Sequence, residues 1–209
     1  MTPKIVDKDQ RKGEIAHAAL GLFAKNGFES TSISQIAEAA GIGKGTVYEY
    51  FESKEELIAA ALAGWIDHMN EAAGQRFAEI DDPAEHLRAY SHVIMETFMS
   101  GESVIQLWLS AFHLLFGEER AAFAKLDLAS RMVEGPRETL AGLLLDGVSR
   151  GHFRPEIAKD AQKIAVNVLA YLDGIAMHYW LSKSGFDLRE QIDQYINGLI
   201  DGLRPQEAK

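Results

Sequence analysis

Between Ile33 and Lys54, hydroxyl and ammonium groups recur at a density that suits one kind of chemistry, the gripping of phosphate oxygens. Lys44, Thr46, Tyr48, Tyr50 and Lys54 supply the donors, and Gly45 leaves the backbone bare enough for a close approach. Lys44 and Gly45 would open a short helix whose first N–H groups and partial positive charge point at an anion. The glycines here do not form a nucleotide loop. Gly41-Ile42-Gly43-Lys44-Gly45 follows a helix rather than a strand and lacks the spacing of a phosphate-binding loop. Catalytic chemistry finds little support elsewhere. The absence of cysteine excludes disulfides, thiolate metal sites and a thiol nucleophile. The seven histidines show no His-Glu-x-x-His pair or other metal spacing, and there is no Gly-x-Ser-x-Gly. The expectation is therefore a protein that is not an enzyme and needs no metal or cofactor.

Helices must position these groups. Apolar residues recur at spacings of three and four nearly everywhere, as in Ile15, Ala19, Leu22 and Phe23, after which Asn26-Gly27 supplies a stop. Four later starts have the form of capping boxes: Ser32 with Gln35, Ser53 with Glu56, Asp82 with Glu85 and Asp187 with Glu190. Pro83 and Pro155 suit a first helical turn. The pattern predicts an all-α fold of about nine helices, near 9–26, 33–40, 44–50, 54–79, 83–99, 102–115, 118–151 with a possible break at Gly135-Pro136, 156–183 and 187–203.

Within residues 33–50, ISQIAEAAGIGKGTVYEY, one short helix ends at Ala40, Gly41 makes a tight turn and a second begins near Lys44. Ile36, Ala37, Ala40, Ile42 and Val47 would pack the two at a steep angle. An ordinary αα-hairpin and a helix-turn-helix share this shape. Donors flanking the second helix favour the helix-turn-helix, in which that helix enters the major groove.

The stretch FAKNGFESTSISQIAEAAGIGKGTVYEYFESKEELI resembles the amino-terminal domain of the tetracycline-repressor (TetR) family through Phe23, Gly27, Phe28, Thr31, Ile36-Ala37, Ala40-Gly41, Thr46-Val47-Tyr48, Tyr50-Phe51, Lys54 and Leu57. The resemblance spans about residues 10–58. One departure is Gly43, where the family usually carries Ser as the cap of the reading helix; Gly supplies no side-chain acceptor. The resemblance implies Lys44, Gly45 and Thr46 at base edges or nearby phosphates. It implies Tyr48, Tyr50 and Lys54 mainly on phosphates, with Thr31, Ser32 and Ser34 along the DNA backbone. Phe51 and Leu57 read as core, and Tyr48 could be core as well.

The resemblance further implies a division into a DNA-binding domain, 1–53, and a helical effector-binding and dimerisation domain, 54–209. Its last two long helices would pair with those of a second chain. Ile164, Val168, Leu172, Ile175 and Tyr179 on the first, and Ile192, Ile196, Leu199 and Ile200 on the second, are the expected dimer residues. Expected pocket residues on the middle helices are Trp65, His68, Met69, Met95 and Phe98, then Trp108, Phe112 and His113, then Asn167, Tyr171 and His178; Met99 and Met132 are further candidates. Such stripes also occur as plain core.

Charge is permissive only. The net charge is −10, but residues 1–54 hold seven basic and seven acidic groups, so the excess lies entirely in the remainder. No apolar run is expected to reach the roughly 18–20 residues of a membrane span, and a soluble, cytoplasmic location is expected. These features together predict a homodimeric repressor that binds a palindromic operator in double-stranded DNA and is released by a small, largely apolar effector. The alternatives are a helical small-molecule carrier and an effector-independent DNA-binding protein.

Overall fold

The computed structural model describes residues 8–99, 107, 109, 127–128, 130–182 and 185–205. Among them the regular structure is helical: α1 (Lys8–Asn26), α2 (Ile33–Ala39), α3 (Lys44–Tyr50), α4 (Lys54–Phe77), α5 (Pro83–Met99), α6 (Gly135–Ser149), α7 (Ala161–Leu181) and α8 (Leu188–Leu203). The expected helix at 102–115 lies almost wholly outside the described residues. A π-helical turn, Ser130–Glu134, runs directly into α6 through helical backbone at Glu134 (φ −75°, ψ −45°), so a change of helical pitch stands where a break near Gly135-Pro136 was expected. Pro155 opens a short 3-10 turn, Pro155–Lys159, rather than the start of the long helix; Asp160 (φ −112°, ψ 3°) separates that turn from α7.

The caps explain the starts. Ser32 Oγ accepts the Gln35 N–H while Gln35 Oε1 accepts the Ser32 N–H, a complete capping box. Ser53 Oγ accepts the Glu56 N–H, but the Glu56 carboxylate reaches one residue further back, to the Glu52 N–H at 2.7 Å. Asp187 Oδ1 accepts the Glu190 N–H at the head of α8. Asp82 Oδ1 accepts the Ala84 N–H at 2.7 Å, and this bond holds its carboxyl below the ordinary range.

The chain divides into two compact units, one of residues 1–70 with 101–132, the other of 71–100 with 133–209. The division falls inside α4 rather than at residue 53, because the first turns of α4 bury Leu57, Ile58, Ala61 and Leu62 in one core with Ile15, Phe23, Ile36, Val47 and Phe51. Burial of such side chains stabilises by about 1.5–3 kcal/mol each, so the first two turns of α4 are structurally part of the head. In the second unit α5, α6, α7 and α8 share a core that includes Leu87, Leu144, Phe153, Leu172, Ile192 and Ile196. Phe153 lies against the bare Cα of Gly147, where a Cβ would come within 2.1 Å of its ring. Arg154 then closes the end of α8: its N–H donates to Leu203 O at 2.8 Å and its Nη2 to Gly202 O at 2.6 Å. Those carbonyls have no partner within the helix itself. By length and composition α7 could cross a membrane, contrary to the expectation that no stretch would; one such helix is weak evidence, since it also packs through Ala165, Val168, Leu172 and Ala176.

Candidate nucleic-acid interface

The α2–α3 turn is built by hydrogen bonds from successive amides. Ala40 N–H donates to Ile36 O, Gly41 N–H to Glu38 O and Ile42 N–H to Ala37 O, and Gly41 adopts φ +65°, in the left-handed region that favours glycine. Val47, 1% exposed, anchors α3 to the core, as do Ile36 and Ala37 on α2. Gly43 caps α3 in extended conformation (φ −74°, ψ 149°) without a side-chain hydrogen bond, as its lack of a side chain dictates. With Val47 inward, Lys44, Gly45, Tyr48 and Glu49 face solvent, and Tyr48 is 51% exposed, so it is not a core residue. Thr46 and Tyr50 are half-buried, Tyr50 against the core. Phe51 and Leu57 are buried.

On the flank of α2, Ser32 and Ser34 are exposed, although Ser32 Oγ is also the helix cap. Thr31 does not fit its expected place on the DNA backbone. It is 1% exposed, and its hydroxyl donates to Gly27 O at 2.8 Å, with Leu22 O at 3.3 Å, so it ties the end of α1 to the start of α2. Lys54 is also partly committed. Its Nζ donates to Glu29 O at 3.3 Å and sits 4.3 Å from the centre of the Phe28 ring, a cation–π contact that braces the α1–α2 loop. Lys12 was not foreseen: it pairs with Glu56 at 3.5 Å and lies 5.0 Å from the Phe51 ring centre, across 44 residues that no local spacing rule connects.

Residues 15–61 match the family model for bacterial regulatory proteins, tetR family. This segment is a domain of the TetR family, and the chain as a whole is similar to regulators of transcription. It is 27% identical over 207 residues to the HTH-type transcriptional repressor KstR2 of Rhodococcus jostii, covering 97% of this chain and 98% of the relative. Its fold resembles that of a TetR transcription regulator from Haloarcula marismortui (TM-score 0.77, 19% identity, 94% of this chain and 100% of the other). It also resembles FadR from Bacillus subtilis in complex with stearoyl-CoA (TM-score 0.70, 19% identity, 91% and 98%). These relatives are regulators of transcription rather than enzymes. The TetR-family head is thus residues of α1–α3 with the opening of α4, and the expected DNA contacts fall within it.

Among the described residues, the expected pocket residues do not assemble into one site within the second unit. Met95 is core. Tyr171 stacks on Tyr195 with ring centres 3.8 Å apart and donates its hydroxyl to Gln191 O at 3.0 Å, so its polar end is spent on α8. Asn167 and His178 lie on an exposed side of α7. Met99 is exposed at the end of α5. In the first unit, Trp65 and Met69 are half-buried, His68 is exposed and Met132 packs against the head core. Trp108, Phe112, His113 and the side chain of Phe98 lie outside the described residues.

The second unit does contain an open groove of about 530 Å³, lined by Arg76, Ile80, Asp81, Asp82, Glu85, Arg88, Ala89 and His92, none of them expected from the sequence to line a pocket. Its charges are mutually paired. Arg76 binds Glu96 at 2.7 and 3.5 Å and lowers the pKa of that carboxyl; Arg88 binds Glu85 and Asn197; His92 Nε2 meets Asp193 at 2.6 Å. This groove lies along the end of α4, the 80–82 loop and α5, with Arg88 and His92 tied to α8, and its charged lining is poorly suited to an apolar ligand.

The expected dimer residues also need correction. Val168, Leu172, Ile192, Ile196 and Ile200 are at most 2% exposed within one chain, consumed by the packing of α7 and α8 on their own unit. Ile164, Ile175, Tyr179 and Leu199 are half-buried against the same core. The open side of α7 is instead Val166, Ala170, Met177 and Leu181, the last 76% exposed. The 3.6-residue period identified a wide apolar stripe but could not say which edge of it a single chain already covers.

Proposed function

We propose that this regulator acts as a homodimeric repressor, binding a palindromic operator through one α3 helix per subunit. The observation that carries this is the two-sidedness of α3: Val47 is buried while Lys44, Gly45 and Tyr48 are presented together. Lys44, Gly45 and Thr46 are assigned to base edges and adjacent phosphates, Tyr48, Tyr50, Ser32 and Ser34 to phosphates, and Lys54 to bracing the loop with at most one phosphate. Two half-sites require a twofold assembly. The open side of α7, with Val166, Met177 and Leu181 between 41 and 76% exposed, supports dimerisation there.

A small, largely apolar effector binds the helical body and favours a conformation whose two heads no longer fit adjacent major-groove turns, through differential affinity for the two states. The stearoyl-CoA held by the Bacillus subtilis protein supports the apolar part of this reading through its acyl chain, although its CoA part is large and anionic. The protein works in the cytoplasm, where its operator lies. Selection of genomic fragments followed by gel shift tests the reading. A salt-sensitive, sequence-selective complex is expected, and no such complex from any fragment would refute it, leaving the carrier. Thermal stabilisation by acyl-CoA thioesters tests the effector; an operator complex that no such compound disrupts favours effector-independent binding.

A further inference from the structure

The outward side of α3 carries a group that a phosphate-gripping surface does not need. At 100° per residue, Gly45 and Glu49 each lie about 160° round the helix from Val47. They therefore share the middle of the exposed side, and Gly45 has no side chain to screen the carboxylate. Glu49 is exposed, and no hydrogen bond or ion pair engages it among the described residues. The described cations of the head that have partners are committed elsewhere: Arg11 to Glu14 at 2.5 Å, Lys12 to Glu56 and Lys54 to Glu29 O. An uncompensated negative charge is thus aimed wherever α3 points. Against a phosphate backbone this is repulsive. In the major groove an acceptor-only group is complemented by an exocyclic amino group, that of cytosine better than that of adenine, whose adjacent N7 is an acceptor; the carbonyl oxygens of guanine and thymine repel it.

Taking α3 as the DNA-reading helix, as proposed above, we infer that Glu49 is a specificity determinant, accepting a hydrogen bond from the N4 amino group of one cytosine per half-site. The carboxylate lowers affinity for DNA in general and recovers it only where that amino group is present.

The test uses the full-length protein and its Glu49→Ala and Glu49→Gln variants. Each is titrated by fluorescence anisotropy against a selected operator, against operators with every half-site base pair replaced in turn, and against unrelated duplex. Wild type should prefer one C·G pair by about tenfold. Glu49→Ala should lose that preference alone, keep the rest of the profile and bind unrelated duplex severalfold more tightly. Glu49→Gln should retain the fold, bind unrelated duplex more tightly as Glu49→Ala does, and shift the favoured base at the same position. A wild type that discriminates among operators, together with a Glu49→Ala profile of unchanged shape, would overturn the role of Glu49 and leave the reading of α3 standing. A wild type with no sequence preference would overturn both. Unchanged melting temperatures separate these outcomes from misfolding, as expected for an exposed side chain.

Discussion

Adding one methyl group to the head should stabilise or destabilise it according to backbone conformation alone. Gly21 and Gly41 both belong to the first unit, and a Cβ at either would meet nothing within 4 Å. Packing therefore contributes little to the difference between them. Gly21 lies inside α1 in helical conformation, where Ala is better than Gly by about 0.5–1 kcal/mol. Gly41 has φ +65°, where an L side chain costs about 1–2 kcal/mol. The narrower unfolded ensemble of Ala offsets part of that, by about 0.4–1 kcal/mol, leaving Gly41→Ala destabilising by about 1 kcal/mol. Native-state hydrogen exchange of the Ile42 amide, bonded to Ala37 O at 2.9 Å, reports opening of the turn directly. Since 1.4 kcal/mol is a factor of ten, exchange should accelerate about fivefold in Gly41→Ala. It should slow two- to fivefold in Gly21→Ala where opening is of the whole head. Gly41→Asn, which tolerates the left-handed region, should fall near wild type. Unchanged or slower exchange in Gly41→Ala would refute the claim that positive φ at this turn sets the placement of α3.

Three further outcomes follow from the same geometry. Thr31→Val keeps the shape but strips Gly27 O of its 2.8 Å partner in a buried place, and should cost about 1–3 kcal/mol in urea unfolding; a loss too small to measure would mean the hydroxyl does not hold the loop. Burial raises the Asp173 carboxyl from 3.8 to about 6, so its charged form is penalised in the folded protein and stability declines as pH rises between those values. Neighbouring groups crowd the carboxyl, yet the side chain as a whole is open to solvent, so screening reduces the nominal ~3 kcal/mol to about 1 kcal/mol. Asp173→Asn should add that much near pH 7 and nothing below pH 3.8, and an equal gain at both would refute a titration origin. Met177→Glu puts two like charges across a twofold face and should turn the proposed dimer monomeric in sedimentation experiments, at a cost of several kcal/mol; an intact dimer would exclude that side of α7.

The local rules carried the head and faltered in the body for one reason, the range over which partners are found. Ser32 with Gln35 and Asp187 with Glu190 are three residues apart, so their caps are visible in the residue order. Gly41 announces its turn because few other residues accept its φ. Thr31 was misjudged because a hydroxyl looks the same whether it faces DNA or donates to Gly27 O; only the return of the chain after α1 decides. The α5–α8 seam is less legible still. His92 meets Asp193 across 101 residues and Arg88 meets Asn197 across 109, and nothing in either neighbourhood signals the other. For α7 and α8 the apolar period was correct, but burial within one chain had already used Val168, Leu172, Ile192, Ile196 and Ile200.

The disposition of charge bears on how such a protein must bind. Among the described residues of the head, Lys8, Lys25 and Lys44 are the cations left for phosphate once Arg11, Lys12 and Lys54 are bonded within the chain, and Glu49 opposes general attraction. Each neutralised phosphate contributes a salt slope of about −0.9, so one head with so few free cations has a shallow slope and weak affinity for arbitrary duplex. The acidic excess, all of it beyond residue 54, adds no attraction. Useful affinity then requires two heads engaged at once, where the second contact is intramolecular and its gain depends on geometry. That dependence suits the ligand switch proposed above. When neither head holds DNA well alone, a modest change in their spacing removes most of the binding, and an effector needs only a small preference for the misaligned state to act.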